Sequence, residues 1–425
     1  MSLDASPIRA QRIAIIGGGI SGLSAAYLLA PHHAVTVYEA EPRLGGHART
    51  VLAGRRGDQP VDTGFIVFNF ANYPHLTRMF QDLDVPIAKS DMSFGASIDG
   101  GRIEYALRTL NSLTAQRRNL LRPGFLRMLR DIVRFNARAE ALARDDDATI
   151  GALMDEMRLG DWFRRFYLLP LCGAIWSTPP EDIRDFPARS ILQFFRNHAL
   201  LSATGQHQWW TVDGGSIEYV RRLEHHLKGR GVAIRSGMPV ASVSRHGNGC
   251  VVRGGMPEAA FDQVIFACHA DQALLLLERP TPQEHAALSA IRFQDNKVIL
   301  HSDTGQMPRR RDVWSSWVYK TDTARAQPAI GVTYWMNRLQ NIPEDDPLFI
   351  SLNPSTPVQD YLVYDEATFR HPVFDAAALR AQGQLNAMQG QNNTWFAGAY
   401  TRHGFHEDGF ASAARIARLM DLQPV

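Results

Sequence analysis

The feature that most narrows what this chain can fold into is short: the apolar run Ile13-Ala14-Ile15-Ile16, followed at once by Gly17, Gly19 and Gly22. A GxGxxG placed between a strand and a helix is the turn of a dinucleotide-binding βαβ unit. The first glycine permits the tight turn, the second lets backbone approach a pyrophosphate, and the third lets helix pack closely on strand. The phosphates then lie at the positive end of the helix. A helix is expected through Leu23, Tyr27 and Leu28, and a second strand over Ala34–Tyr38. Glu39 ends that strand, placed to accept hydrogen bonds from ribose hydroxyls and to repel a 2′-phosphate.

The chain has 425 residues, too many for one small domain, and its 45% hydrophobic content can fill a sizeable core. From about Tyr73 to Asn197 the pattern turns mainly helical, with long stretches at Leu107–Arg144 and Asp161–Ile175. Short strands return at 232–235, 239–243, 250–253 and 263–267, strand-like Trp- and Tyr-rich segments follow over 297–352, and the end reads strand, loop, helix. We therefore expect an α/β fold in which a Rossmann-type domain (8–72, 205–280, 391–425) is interleaved with a mixed α+β substrate domain (73–204, 281–390).

Lys plus Arg number 45 against 43 Asp plus Glu, a formal charge of +2, which argues against a nucleic-acid partner. Cys172, Cys250 and Cys268 are far apart and lack CxxC spacing, so neither a disulfide framework nor a metal site is expected. The polar start Met1–Arg12 and the lack of a long apolar window suggest neither a secretory leader nor a membrane span. A cytoplasmic protein is expected. One local charge anomaly remains: nine arginines lie between Arg108 and Arg144 against Asp131 and Glu140. Arg127, Arg130, Arg134 and Arg138 repeat at helical spacing, with Leu126, Leu129 and Val133 on another side. That describes either a solvated face or a basic amphipathic helix lying on anionic lipid.

Gly45 and Gly46, shortly after Glu39, allow a second close backbone approach, and Arg43 and Arg49 offer charge to phosphate oxygens. With these residues the chain resembles the flavin-dependent amine oxidase superfamily, most specifically at Ile15–Gly22 and Glu39–Gly46. The resemblance implies noncovalent FAD held by Gly17, Gly19, Ile20, Ser21, Gly22, Glu39, Ala40, Arg43, Gly45 and Gly46. Thr63 and Gly64 belong to the same set. His47 stands where the family usually has arginine, and the phosphate contact passes to Arg49. Val240 matches the strand that meets the adenine. Trp395–Tyr400 with Gly404–Ala413 matches the closing flavin motif, which brings in Gly398, Ala399 and Gly409. Ala399 replaces the family's acidic ribityl contact, which is then relocated to Glu407 or Asp408.

Lys297, in an Asn-Lys-Val context, matches the lysine that holds water near the flavin N5 in amine oxidases. A desolvated lysine is costly and so often functional. His403, His406 and Glu407 are the candidates for proton handling. Trp314, Trp317, Tyr334 and Trp335 are expected to line the substrate pocket, suiting an apolar substrate or one bearing a cation. Longer stretches, Ala174–Pro179, Met307–Arg311, Tyr334–Arg338 and Gly404–Gly409, are similar to a bacterial branch related to the flavin domain that precedes the methyltransferase in plant cyclopropane fatty acid synthases. That implies an FAD oxidoreductase acting on lipid acyl chains, a desaturase peripheral to the membrane with a fatty acyl methyltransferase as a partner. A flavin amine oxidase and a non-catalytic flavin-binding partner of such a methyltransferase stay open as alternatives.

Overall fold

The computed structural model describes residues 10–143, 148–176, 178–197, 207–255, 257–323 and 331–421. The glycine-rich turn joins the strand Arg12–Ile16 to the helix Ile20–Leu29, and the strand Ala34–Tyr38 follows. These strands lie inside a five-stranded parallel sheet in the order Ala233–Arg235, Ala34–Tyr38, Arg12–Ile16, Gln263–Phe266, Thr394–Phe396. It is assembled from three separated stretches of chain. The central strand is almost wholly buried, as a parallel strand covered on both faces must be. On it pack the first helix and the last, His406–Asp421, with Leu23, Trp395 and Ile416 in their common core.

A second sheet of seven strands is mixed. Its order is Val363–Pro372, Phe293–His301, Phe349–Leu352, Val332–Trp335, Trp317–Thr321, Phe94–Ile98, Ile103–Ala106. One pairing, Trp317–Thr321 with Phe94–Ile98, is parallel and the others are antiparallel. Helices between 110 and 197 cover one side of it, and the largest apolar cluster fills the space between. Among the described residues no helix is long and apolar enough to cross a membrane.

The stretch expected to be mainly helical also contributes strands, at Ile87–Ser90, Phe94–Ile98 and Ile103–Ala106. The last two are buried along their whole length, so they carry no apolar/polar alternation to reveal them. Buried Glu104 explains the Met307–Arg311 motif: its carboxylate accepts the Arg309 and Arg310 amides at 2.8 and 3.3 Å and pairs with the Arg310 guanidinium. The motif is therefore a latch between two strands of chain rather than part of a site. Arg144 and Ser177, which belong to the arginine run and the Ala174–Pro179 motif, lie outside the described residues.

Candidate functional site

The nucleotide end is built from backbone. Gly17 (φ +114) sits where an added Cβ would lie 2.6 Å from the Ala267 carbonyl oxygen, and at Gly22 it would lie 1.9 Å from the Gly17 oxygen. Gly17 donates to the Tyr38 carbonyl and Gly45 to the Gly18 carbonyl, each at 2.8 Å, and Gly19 bridges Gly45. The two glycine turns thus pack backbone on backbone, with no side chain between them. The first-turn amides of the helix that starts at Ile20 lack a side-chain cap and remain available to an anion. Glu39 is held at the strand end by the Gly18 and Glu41 amides at 2.6 and 2.8 Å, with Ala40 exposed beside it. Gly237 and Met238 donate to the Glu41 and Glu39 carbonyls, which brings Val240 to the same edge. Arg43 lies on the glycine turn, bonded to the Gly46 carbonyl at 2.9 Å.

The other end is built from side chains that long loops bring together. At Gly409 a Cβ would meet Ile20 and Ser21 at 2.8 Å, so the last helix starts against the first. That helix opens at His406, three residues before Gly409, and the Gly409 amide is already spent on the Phe405 carbonyl at 3.1 Å. Gly398 donates to the Ser412 hydroxyl, with Ala399 following in a single turn. Thr63 and Gly64 run beside His47 and Arg49, so tightly that a Cβ at Gly64 would lie 2.1 Å from the His47 oxygen. Phe65, next in the chain, stacks on the His406 ring at 3.9 Å, and Tyr219 Oη lies 2.6 Å from His406 Nε2.

Around this point four histidines gather. His47 lies 6.0 Å from His269 and 5.4 Å from His371, ring centre to ring centre, and its charge is felt at His406. Burial lowers all four: His371 and His406 to about 3, His269 to about 4, and His47 below the ordinary range. His47 Nε2 and His269 Nδ1 are buried with no hydrogen-bond partner. Orphaned buried nitrogens beside a glycine cradle are what a polar ligand is expected to satisfy. These residues therefore fit FAD: adenosine at Glu39 and Val240, pyrophosphate at the uncapped first-turn amides of the helix that starts at Ile20, and the ring system toward Thr63, Gly64 and the His406 helix.

Several expected site residues are placed elsewhere. Lys297 points outward from the strand Phe293–His301 and pairs with Glu366 at 2.9 Å, the two side chains 55% and 49% exposed. Successive strand residues face opposite sides, and it is Asn296 that faces inward, fully buried between Asn353 and His371. Arg49 is forked on Asp365 at 2.6 and 3.0 Å, so its guanidinium ties the segment after the second glycine turn to the edge strand Val363–Pro372 instead of standing free for phosphate. Glu407 caps the helix Pro74–Asp82, accepting the His75 and Leu76 amides at 3.0 Å each, and burial raises it to about 7. Each of its oxygens thus already holds one amide of that helix. Asp408 accepts the Phe405 amide at 3.0 Å and lies beside Arg402. His403 borders a narrow cleft with Trp176 and Phe186, leaving His406 as the histidine that touches the cofactor loop.

The four aromatics divide between the faces of the second sheet. Trp317 and Tyr334 are paired across strands, edge to face at 5.1 Å, on the side of the main apolar cluster with Ile66, Met92 and Phe405. Trp314 and Trp335 pack on each other at 5.3 Å in a separate small cluster, with Arg311 stacked 3.8 Å over Trp314. They are not part of the pocket. Sequence reasoning missed His269, His371 and Tyr219, none of which lies in a recognisable motif, and Asn296, which stands beside Lys297 in the Asn-Lys-Val segment. It also missed Asp62, whose buried carboxylate gathers Thr50, Ser216 and Gln340 beneath the Thr63-Gly64 turn. Its position directly before Thr63-Gly64 was the one available signal.

Comparison with known proteins accords with this geometry. The description "flavin containing amine oxidoreductase" matches residues 20–310. The protoporphyrinogen oxidase of Bos taurus is 26% identical over 277 residues, 55% of this chain and 54% of that protein, so the chain spans about half the length of the curated relatives it matches. Among solved structures, the cyclohexylamine oxidase of Brevibacterium oxydans covers 97% of this chain and 99% of its own at 14% identity and a TM-score of 0.67. The CLA-producing fatty acid isomerase of P. acnes covers 98% and 99% at 14% identity and a TM-score of 0.66. At such identities the structures speak for the fold alone. With the family matched over more than half of its length and its residues shaped for FAD, the chain belongs to the flavin containing amine oxidoreductases.

Proposed function

We propose that the protein is an FAD-dependent oxidoreductase that dehydrogenates an apolar substrate, a fatty acyl chain of a membrane phospholipid bearing a double bond or a methyl branch. The observation that carries this reading is the surface presented by Trp317 and Tyr334. Both are half-buried apolar side chains packed against the main core, as are Ile66, Met92, Ile175 and Phe405. Ile66 and Phe405 belong to the two segments that cradle the ring system, so substrate carbon packed there lies against the cofactor. The Trp317 indole nitrogen is buried and unpaired, a single donor suited to one ester or carboxyl oxygen in otherwise greasy surroundings.

Bound FAD supplies the two-electron acceptor. Removal of a hydride from one carbon and a proton from its neighbour leaves a carbon–carbon double bond. The proton passes by way of His406 and the Tyr219 hydroxyl bonded to it and on to solvent, since burial that brings His406 down to about 3 keeps it from retaining the proton. The cofactor is held without a covalent link, and the protein works at the membrane surface beside a fatty acyl methyltransferase, in the branch similar to the plant cyclopropane synthases.

The test is anaerobic mixing of FAD-loaded protein with dispersed unsaturated and methyl-branched phospholipids, following loss of flavin absorbance and then lipid mass. Bleaching with lipid loss of two hydrogens supports the reading. Bleaching only with primary or secondary amines makes it an amine oxidase, and bleaching with nothing makes it a non-catalytic partner.

A further inference from the structure

Among the described residues, seven of the twelve large apolar side chains left exposed lie between Leu107 and Leu142. Leu110 is 81% exposed, Leu121 85%, Leu126 48% and Val133 69%. Isolated exposed leucines need no explanation, but a run of them on one segment does. The helix Pro123–Leu142 shows how they come to face outward: it buries Phe125, Met128, Asp131, Phe135 and Ala139. The stripe opposite, at helical spacing of four, three and four, is Leu126, Arg130, Val133 and Ala137.

The charge of this segment is one-sided. Asp131 is fully buried, holding Arg134 at 3.1 Å, and Glu140 is paired with Arg196. Arg127 and Arg134 are turned onto the Arg158 and Met157 carbonyls, so the outward cations are Arg130 and Arg138 on the helix with Arg108 and Arg117 before it. Arg118 and Arg122 converge on the Arg102 carbonyl at 3.3 and 2.9 Å, bringing two guanidinium groups to one edge of the patch, while the Arg102 guanidinium is paired with Asp99. A second copy of the chain would meet this face with arginine against arginine, which disfavours a symmetric dimer through it. Leucines set among exposed arginines, of which Arg130 still reaches the buried Asp131 at 3.9 Å, match instead the boundary between acyl chains and acidic headgroups.

We propose that this face, centred on Leu110, Arg117, Leu121, Leu126 and Arg130, docks the protein on an anionic phospholipid bilayer. The run Asp145–Asp147 that follows lies outside the described residues, and its charge opposes acidic lipid. Contact is therefore strongest at the end nearer Leu110 and Leu121. The inference rests on the acyl-chain reading for its purpose, though docking itself needs no turnover and is measured without it.

The test is co-sedimentation of the full FAD-loaded chain with vesicles of phosphatidylcholine alone or mixed with phosphatidylglycerol, at low and high salt. Binding is expected only to the mixed vesicles and to weaken with salt. Leu110→Asp with Leu121→Asp, and separately Arg117→Glu with Arg130→Glu, are each expected to weaken it about tenfold or more at unchanged FAD content. Leu275→Asp, at an exposed leucine elsewhere, leaves it intact. No binding at low salt overturns the proposal, as does equal binding to neutral vesicles. Loss in the arginine variant with none in the leucine variant assigns the face to a soluble polyanion instead. Docking without lipid-driven bleaching leaves this inference standing and removes the acyl substrate.

Discussion

The two ends of the cofactor site are made of different material. At the adenosine end the work is done by backbone: glycines at 17, 19, 22, 45 and 46, orphan amides at the first helix, and one carboxylate, Glu39, fixed by two amides. At the flavin end it is done by side chains from four distant segments, with His47, His269, His371 and His406 gathered by loop and sheet packing. The comparison teaches that the first end is limited chiefly by backbone crowding at Gly17 and Gly22, whereas the second, crowded at Gly64 as well, depends also on protonation state.

The sharpest way to break it is Gly22→Ala. With a Cβ 1.9 Å from a backbone oxygen the turn cannot form, and the expected outcome is protein that neither folds well nor retains flavin, a cost of about 3 kcal/mol or more. FAD content and thermal midpoint after purification measure this; an FAD-loaded variant of normal stability would refute a backbone-built cradle.

Acid should strike the other end. Four histidines kept neutral by burial contribute stability that is full above about pH 6.5, where the unfolded chain also carries them neutral, and that is lost as pH falls toward their folded values. Denaturant unfolding between neutrality and pH 4 is expected to lose several kcal/mol, since each pKa unit is worth about 1.4. His371→Asn should flatten that slope. Glu407 works with the opposite sign: raised to about 7, its contribution is full below the usual carboxylate range and is lost as pH rises through 7. Glu407→Gln removes that second dependence. A slope unchanged in both variants would locate the titration elsewhere.

A smaller effect separates Glu39 from its neighbours. Glu39→Ala removes a charged acceptor from the ribose and is expected to weaken FAD binding by about 1.5–3 kcal/mol, read by flavin titration of the apoprotein. Smallest of all is Lys297→Met. An exposed ion pair with Glu366 is worth under about 1 kcal/mol, so stability, flavin content and reoxidation rate are expected to be unchanged. Slowed reoxidation would return Lys297 to the mechanism.

The parts of the fold legible in the chain were those that local covalent chemistry dictates. The βαβ unit was expected over the residues where it is found, and the return of strands near 233, 240, 250 and 263 was visible in short apolar runs bounded by glycines. The strands at 94–98 and 103–106 were hidden because both faces are buried and one carries Glu104 inward. In the site, Glu39 and the glycines could be named because their roles follow from spacing within one turn of chain, whereas Glu407 found its partners 331 and 332 residues away.

What the sequence by itself determined is the dinucleotide turn and the carboxylate beside it, because only glycine accepts those backbone positions and the spacing to Glu39 is set by one helix and one strand. What only the tertiary structure decided is direction. A strand offers two equivalent faces, and nothing in Phe293–His301 says whether Asn296 or Lys297 looks inward until the neighbouring strands Val363–Pro372 and Phe349–Leu352 and the core behind them are in place. The same choice sends Tyr334 toward the main apolar cluster and Trp335 to the far side, one residue apart along a backbone whose side chains alternate with a period of two.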